Sequence, residues 1–70
     1  MYTIVDSGND TICKDTAALS NALMDKYLNK HVSVKWQRQS GIKTVVFITV
    51  TPDGPIDTYT HKPVSLYELN

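Results

Sequence analysis

The side chains of this chain that could bind a metal are one cysteine, two histidines and an aspartate: Cys13, His31, His61 and Asp57. A zinc site needs three or four ligands at about 2.0–2.3 Å, and close-spaced pairs usually supply them. Cys13 and the two histidines are far apart in sequence, and the strand pattern described below sets the histidines on opposite faces of a sheet. We therefore predict no metal site and no cofactor.

Cys13 is also the best candidate for a nucleophile. A catalytic thiol needs a base beside it and a third group that orients the base. Its position just before a predicted helix could lower the thiol pKa, but nothing in the sequence places a histidine next to it. A lone cysteine is more often a small buried residue, and the three glycines fall at predicted turns outside any phosphate-binding pattern. We predict that the chain is not an enzyme.

The charged residues exclude some partners and permit others. Seven basic and seven acidic side chains give a formal net charge of zero, whereas nucleic-acid-binding domains usually carry a clustered basic excess. Lys35, Arg38 and Lys43 surround one predicted hairpin, so a nucleic-acid-binding module is the alternative function, with affinity that falls steeply as salt rises. No apolar run approaches the ~20 residues that a membrane span requires. The single cysteine favours a reducing compartment, so we expect a cytoplasmic protein, or one of the host cytoplasm if it is viral.

The segment Lys43–Thr51 is apolar on both faces of a predicted strand. One face carries Val45, Phe47 and Thr49, and the other carries Thr44, Val46, Ile48 and Val50. A sheet with one solvated face needs only one apolar face. We therefore expect something to cover each side of this strand.

A second strand, His31–Arg38, precedes it and alternates apolar and polar residues. Ser40–Gly41 is interpreted as a two-residue hairpin turn between the two strands. The resulting register pairs Trp36 with Val45, Val34 with Phe47, and Val32 with Thr49. These six residues then form the core face beneath a helix, and Val46, Ile48 and Val50 lie on the reverse face.

The remaining elements complete an α+β fold in a single domain, residues 1–70. A strand at Tyr2–Val5 and a return strand at Thr11–Cys13 form an N-terminal hairpin, the alternative being one strand and a loop. Asp15 is the predicted N-cap of a helix over Thr16–Asn29. After the turn Thr51–Gly54, a third strand over Ile56–His61 places Tyr59 beside Phe47 on the core face. The fold is thus a short N-terminal strand or hairpin, one helix and a three-stranded antiparallel meander with the helix on one face.

The reverse face of this meander is the predicted partner-binding surface, because an apolar centre with a polar rim is typical of protein interfaces. Its residues are His31, Ser33, Lys35, Gln37, Val46, Ile48, Val50, Ile56, Thr58 and Thr60. In the alternative interpretation the C-terminal tail folds back and covers the patch with Val64, Leu66, Tyr67 and Leu69.

We hypothesise a small non-catalytic protein-binding module, an inhibitor or adaptor of a larger protein. Compact neutral domains of this size are common among phage and mobile-element proteins that act against a host or its defences. The expected partner is a larger host or viral protein, bound by this face or by strand addition at a sheet edge, or a second copy of the chain.

Overall fold

The computed structural model describes residues 1–66 as five antiparallel strands and one helix. The elements are β1 Tyr2–Asp6, β2 Asn9–Cys13, α1 Thr16–Lys26, β3 His31–Gln37, β4 Lys43–Thr51 and β5 Gly54–Asp57. All five strands form one sheet in the order β2-β1-β3-β4-β5. The predicted α+β class is confirmed, and β1 and β2 form the predicted N-terminal hairpin.

Local interactions explain the turn between β1 and β2 and the position where α1 begins. Ser7 and Gly8 have φ of 50° and 89° and form the two-residue turn between β1 and β2, the backbone geometry that suits such hairpins. Asp15 caps α1 as predicted, since its Oδ1 accepts from the amide of Ala18 at 2.8 Å. The helix ends at Lys26, earlier than the predicted Asn29, and Asn29 instead takes a positive φ of 64°.

The core lies between α1 and one face of the sheet, called here the inner face. Residues 1–66 contribute eleven buried apolar side chains to it: Ile4, Cys13, Leu19, Leu23, Tyr27, Val32, Val34, Trp36, Ile48, Val50 and Leu66. Burial of this apolar surface is the main favourable contribution to folding. The opposite face of the sheet is called the outer face.

The predicted register between β3 and β4 is wrong by one residue. Trp36 lies opposite Thr44, Val34 opposite Val46, and Val32 opposite Ile48. The connection is a three-residue loop, because the amide of Arg38 donates to Ile42 O at 2.8 Å and that of Gly41 donates to Arg38 O at 2.8 Å. Gly41 has a φ of 91°, so the loop is a turn followed by a left-handed glycine rather than the predicted Ser40–Gly41 turn. A slip of one residue exchanges the two faces of a strand. Thus β4 is turned over relative to the prediction.

The predicted register between β4 and β5 is also wrong by one residue, in the compensating sense. Thr49 pairs with Ile56, and Thr51 pairs with Gly54 across a tight turn. Because the two register errors compensate, β3 and β5 keep their predicted orientation, and their residues predicted for the face opposite the helix lie on the outer face. Only β4 presents the opposite side chains to each face. The strand also ends at Asp57 rather than at His61.

No helix within residues 1–66 has the length and apolar character needed to span a bilayer.

Candidate functional site

The outer face of the sheet brings together most of the predicted surface residues. By strand alternation from the observed register, His31, Ser33, Lys35, Gln37 and Ile56 lie on this face. Thr58 follows on the same side, since its hydroxyl lies 3.0 Å from that of Thr49. Thr60 is exposed in the turn after β5.

Three predicted surface residues of β4 lie on the inner face instead. Ile48 and Val50 are both 0% exposed, and Val46 packs against the same core. Their prediction as surface residues is corrected by the extra loop residue between β3 and β4. Val45, Phe47 and Thr49 occupy the outer face in their place.

The apolar centre of the outer face is an aromatic pair. Phe47 and Tyr59 meet edge to face with ring centroids 5.7 Å apart, and they are 48% and 74% exposed. The prediction that Tyr59 lies beside Phe47 is confirmed, but the pair is on the solvent side and not on the core face. Val45, 54% exposed, extends the apolar surface along β4. Large exposed aromatic side chains are the residues that most often anchor protein interfaces.

Hydrogen bonds fix the polar margin of this pair. His31 Nδ1 lies 2.7 Å from Thr49 Oγ1, which in turn lies 3.0 Å from Thr58 Oγ1. This chain of side chains crosses β3, β4 and the start of the turn that carries Tyr59. A depression of about 490 Å³ lies beside it, lined by Val5, Ser7, Gly8, His31, Val32, Ser33, Phe47, Thr58 and Tyr59.

A turn held by Asp57 places Tyr59. The Asp57 carboxylate accepts from the amides of Thr60 and Tyr59, at 2.9 and 2.8 Å. These two hydrogen bonds hold the pKa of the Asp57 carboxyl below its ordinary value, and the one from Thr60 has the larger effect. The amides of Tyr59 and Thr60 bind this carboxylate instead of continuing the strand, so β5 ends at Asp57.

The other end of the outer face is cationic. Lys35 lies opposite Val45, and Lys43 lies opposite Gln37. A second depression, of about 440 Å³, is lined by Met1, Thr3, Lys35, Trp36, Gln37, Lys43, Thr44 and Val45. Within residues 1–66, no carboxylate pairs with Lys35 or Lys43, and the ion pair seen there joins Lys30 to Asp6.

Arg38 does not join these two lysines. Its guanidinium lies 5.6 Å from the Trp36 ring centroid, and its Nε donates to Thr44 Oγ1 at 2.9 Å. Trp36 and Thr44 belong to the inner face, so the predicted basic cluster of Lys35, Arg38 and Lys43 is divided between the two faces.

The C-terminal segment, as far as Leu66, packs into the core on the inner face. Pro63 bridges to Ile56, the amide of Val64 donates to Pro55 O at 3.0 Å, and Leu66 is buried in the core. The alternative interpretation places the tail over the sheet face opposite the helix. Val64 and Leu66 instead pack into the core on the helix side, and Tyr67 and Leu69 lie outside the described residues. The part of this segment that the structure describes, up to Leu66, therefore does not cover the outer face.

Among residues 1–66, nothing pairs with the β2 edge of the sheet. In a two-residue hairpin the pair flanking the turn is hydrogen-bonded, so the backbone groups of Asp10 and Ile12 point away from β1. The opposite edge, at β5, is occupied by the bridge to Pro63. Ile12 is 67% exposed and extends the outer face beyond β1.

The residues considered for chemistry do not converge. Cys13 is buried in the core, and burial raises the pKa of its thiol, an effect that Lys26 opposes and Asp15 reinforces. His31 lies on the outer face, and no group of three or more His, Cys, Asp or Glu residues in the described part of the chain could hold a metal ion.

Comparisons with known proteins give no relative from which a function could be transferred: the chain matches no protein-family model, no curated protein and no solved structure.

The residues that sequence reasoning missed are Val45, Phe47, Thr49 and Tyr59. The dipeptide Ser40–Gly41 gave no signal for them, because the same Ser-Gly dipeptide forms a two-residue turn at Ser7–Gly8 and part of a three-residue loop between β3 and β4.

Proposed function

We propose that this chain is a non-catalytic protein-binding module that binds a larger protein through the outer face of its sheet. The observation that supports this most strongly is the exposed Phe47–Tyr59 pair with Val45 beside it, on a sheet face that none of the described residues covers. Contiguous exposed apolar patches are unusual on soluble monomers and typical of interaction sites. A module of this size would act as an inhibitor or adaptor by occupying a surface of its partner.

The composition of the outer face fits this role better than it fits nucleic-acid binding. Its centre is apolar and its margin is polar, as in protein interfaces. Nucleic-acid affinity depends on the number of phosphates neutralised, and Arg38 lies on the inner face while Lys35 and Lys43 lie on the outer one.

The test compares two apolar-to-acidic variants of matched exposure. Phe47 is 48% exposed on the outer face, and Leu28 is 41% exposed just beyond α1. Tagged wild type, Phe47→Asp and Leu28→Asp are used to capture proteins from an extract of the source cells, and a protein captured by wild type is then purified and its affinity for each variant measured by calorimetry.

We expect the Phe47→Asp variant to lose about 30-fold or more in affinity, as for the anchor residue of an interface. The Leu28→Asp variant should bind within about threefold of wild type, since side chains outside an interface contribute little. Equal affinities for Phe47→Asp and wild type, with both variants folded, would contradict the proposal.

A further inference from the structure

The outer face carries more positive than negative charge in the described residues. Lys35 and Lys43 lie on it, and the acidic side chain that strand alternation places there in the described residues is Asp10, on the distant edge strand β2. The carboxylates of Asp6, Asp15 and Asp57 are engaged elsewhere, by an ion pair, a helix cap and a turn. The neutral chain therefore presents a cationic outer face.

The cationic and aromatic parts of this face are arranged along one line. Along β4, Lys43 and Phe47 are four residues apart on the same face, a separation of about 13 Å at ~3.3 Å per residue. The depression beside Lys35 and Lys43 lies at one end of this line, and the depression beside Phe47 and Tyr59 lies at the other. An extended segment of four or five residues spans this distance.

We infer that the partner of the outer face is a polypeptide segment that carries carboxylates next to an apolar side chain. Its carboxylates bind Lys35 and Lys43, and its apolar side chain packs against the Phe47–Tyr59 pair. This inference rests on the proposed function and adds the chemistry of the partner to it. Charge complementarity of this kind sets specificity and the rate of association.

The same charges argue against a second copy as the occupant. Two chains that met outer face to outer face would bring four lysines into one interface with two copies of Asp10 at its margin. Like charges placed in an interface disfavour association. The partner supplies the negative charge that the described residues do not place beside Lys35 and Lys43.

The experiment selects binders from a random displayed library of peptides about 12 residues long, which at ~3.3 Å per residue can cross the molecule's longest dimension of 31 Å. Peptides enriched on wild type are synthesised and titrated against four variants. Two are Phe47→Asp and Leu28→Asp. The third reverses both outer-face lysines, Lys35→Glu with Lys43→Glu. The fourth, Lys14→Glu with Lys26→Glu, is the control for the third. It changes the net charge of the chain by the same amount, at two exposed residues outside β3 and β4.

The inference predicts enriched peptides that are rich in Asp and Glu around an apolar residue. Their affinity should fall about tenfold or more on reversal of Lys35 and Lys43, and by much less on reversal of Lys14 and Lys26. Their affinity should also fall with added salt.

The inference is overturned by enrichment of neutral or basic peptides, by no enrichment, or by acidic peptides that bind both double variants equally. Binding of single-stranded DNA to wild type that exceeds peptide binding and depends on Lys35 and Lys43 would overturn it as well. Neutral peptides that are lost on Phe47→Asp and kept on Leu28→Asp leave the proposed function standing. Enriched peptides insensitive to Phe47→Asp contradict both proposals.

Discussion

At the scale of single residues, Asp57 determines where Tyr59 lies. Its carboxylate accepts the amides of Tyr59 and Thr60 and so ends β5, and the turn returns the tyrosine ring to the edge of Phe47. The same length of chain continued as a strand would have carried Tyr59 to the inner face by alternation. One short side chain thus places half of the aromatic pair.

The pKa of Asp57 predicts how this turn responds to acid. The hydrogen bonds from Thr60 and Tyr59 favour the charged form and lower the carboxyl pKa in the folded protein. Their contribution to stability is fully present above the ordinary aspartate pKa, about 4, and is lost as pH falls through the lower folded-state value. We expect the amide resonances of Tyr59 and Thr60 to titrate with a midpoint below ~4 in an NMR pH series.

The Asp57→Asn variant is the matched control, because its side-chain oxygen keeps both hydrogen bonds but does not titrate between pH 2 and pH 5, roughly the range of carboxyl groups. Its Tyr59 and Thr60 amide resonances should stay constant across that range. A wild-type midpoint above the ordinary aspartate value, or a midpoint unchanged in Asp57→Asn, would contradict the role given to this carboxylate.

At the scale of elements, the sequence was sufficient for the types of element and insufficient for the register of β4 against either of its neighbours, β3 and β5. The alternation of His31–Gln37, the helix cap at Asp15 and the turn at Thr51–Gly54 each have a local cause, and each was predicted. The register of β4 has no such cause within the strand, since both of its faces are apolar and either could face a core. The loop between β3 and β4 is one residue longer than predicted, and this length sets which face of β4 is buried. It therefore places Phe47 on the outer face and Ile48 on the inner face.

The C-terminal segment is the second element whose place could not be read from its pattern. Val64 and Leu66 pack into the core that α1 also covers, and α1 is short and contacts mainly β1 and β2. We expect Leu66→Ala to lower the free energy of unfolding by about 2–5 kcal/mol, the cost of removing a buried leucine, as measured by urea denaturation. The neighbouring exposed Ser65→Ala should change it by less than ~0.5 kcal/mol. A Leu66→Ala effect as small as that of Ser65→Ala would show that the segment does not belong to the core.

At the scale of the whole molecule, a chain of 70 residues whose described part forms one sheet and one helix has little stability in reserve. The core of the described residues is shared by the helix, the inner face and the C-terminal segment. A charge placed in that core costs several kcal/mol, which is comparable with the whole free energy of folding. A charge on the outer face leaves the core intact, so global stability reports which face of β4 is buried.

The central claim, that Phe47 and not Ile48 faces solvent, is tested most directly by unfolding two adjacent variants. Phe47→Asp should remain folded and unfold cooperatively in urea, less stable than wild type by about 1–2 kcal/mol because its contact with Tyr59 is lost. Ile48→Asp should be unfolded without denaturant, since Ile48 is 0% exposed. The reverse result, a folded Ile48→Asp and an unfolded Phe47→Asp, would contradict the account. It would show that Phe47 is buried and Ile48 exposed, so that the aromatic pair is not part of the binding surface.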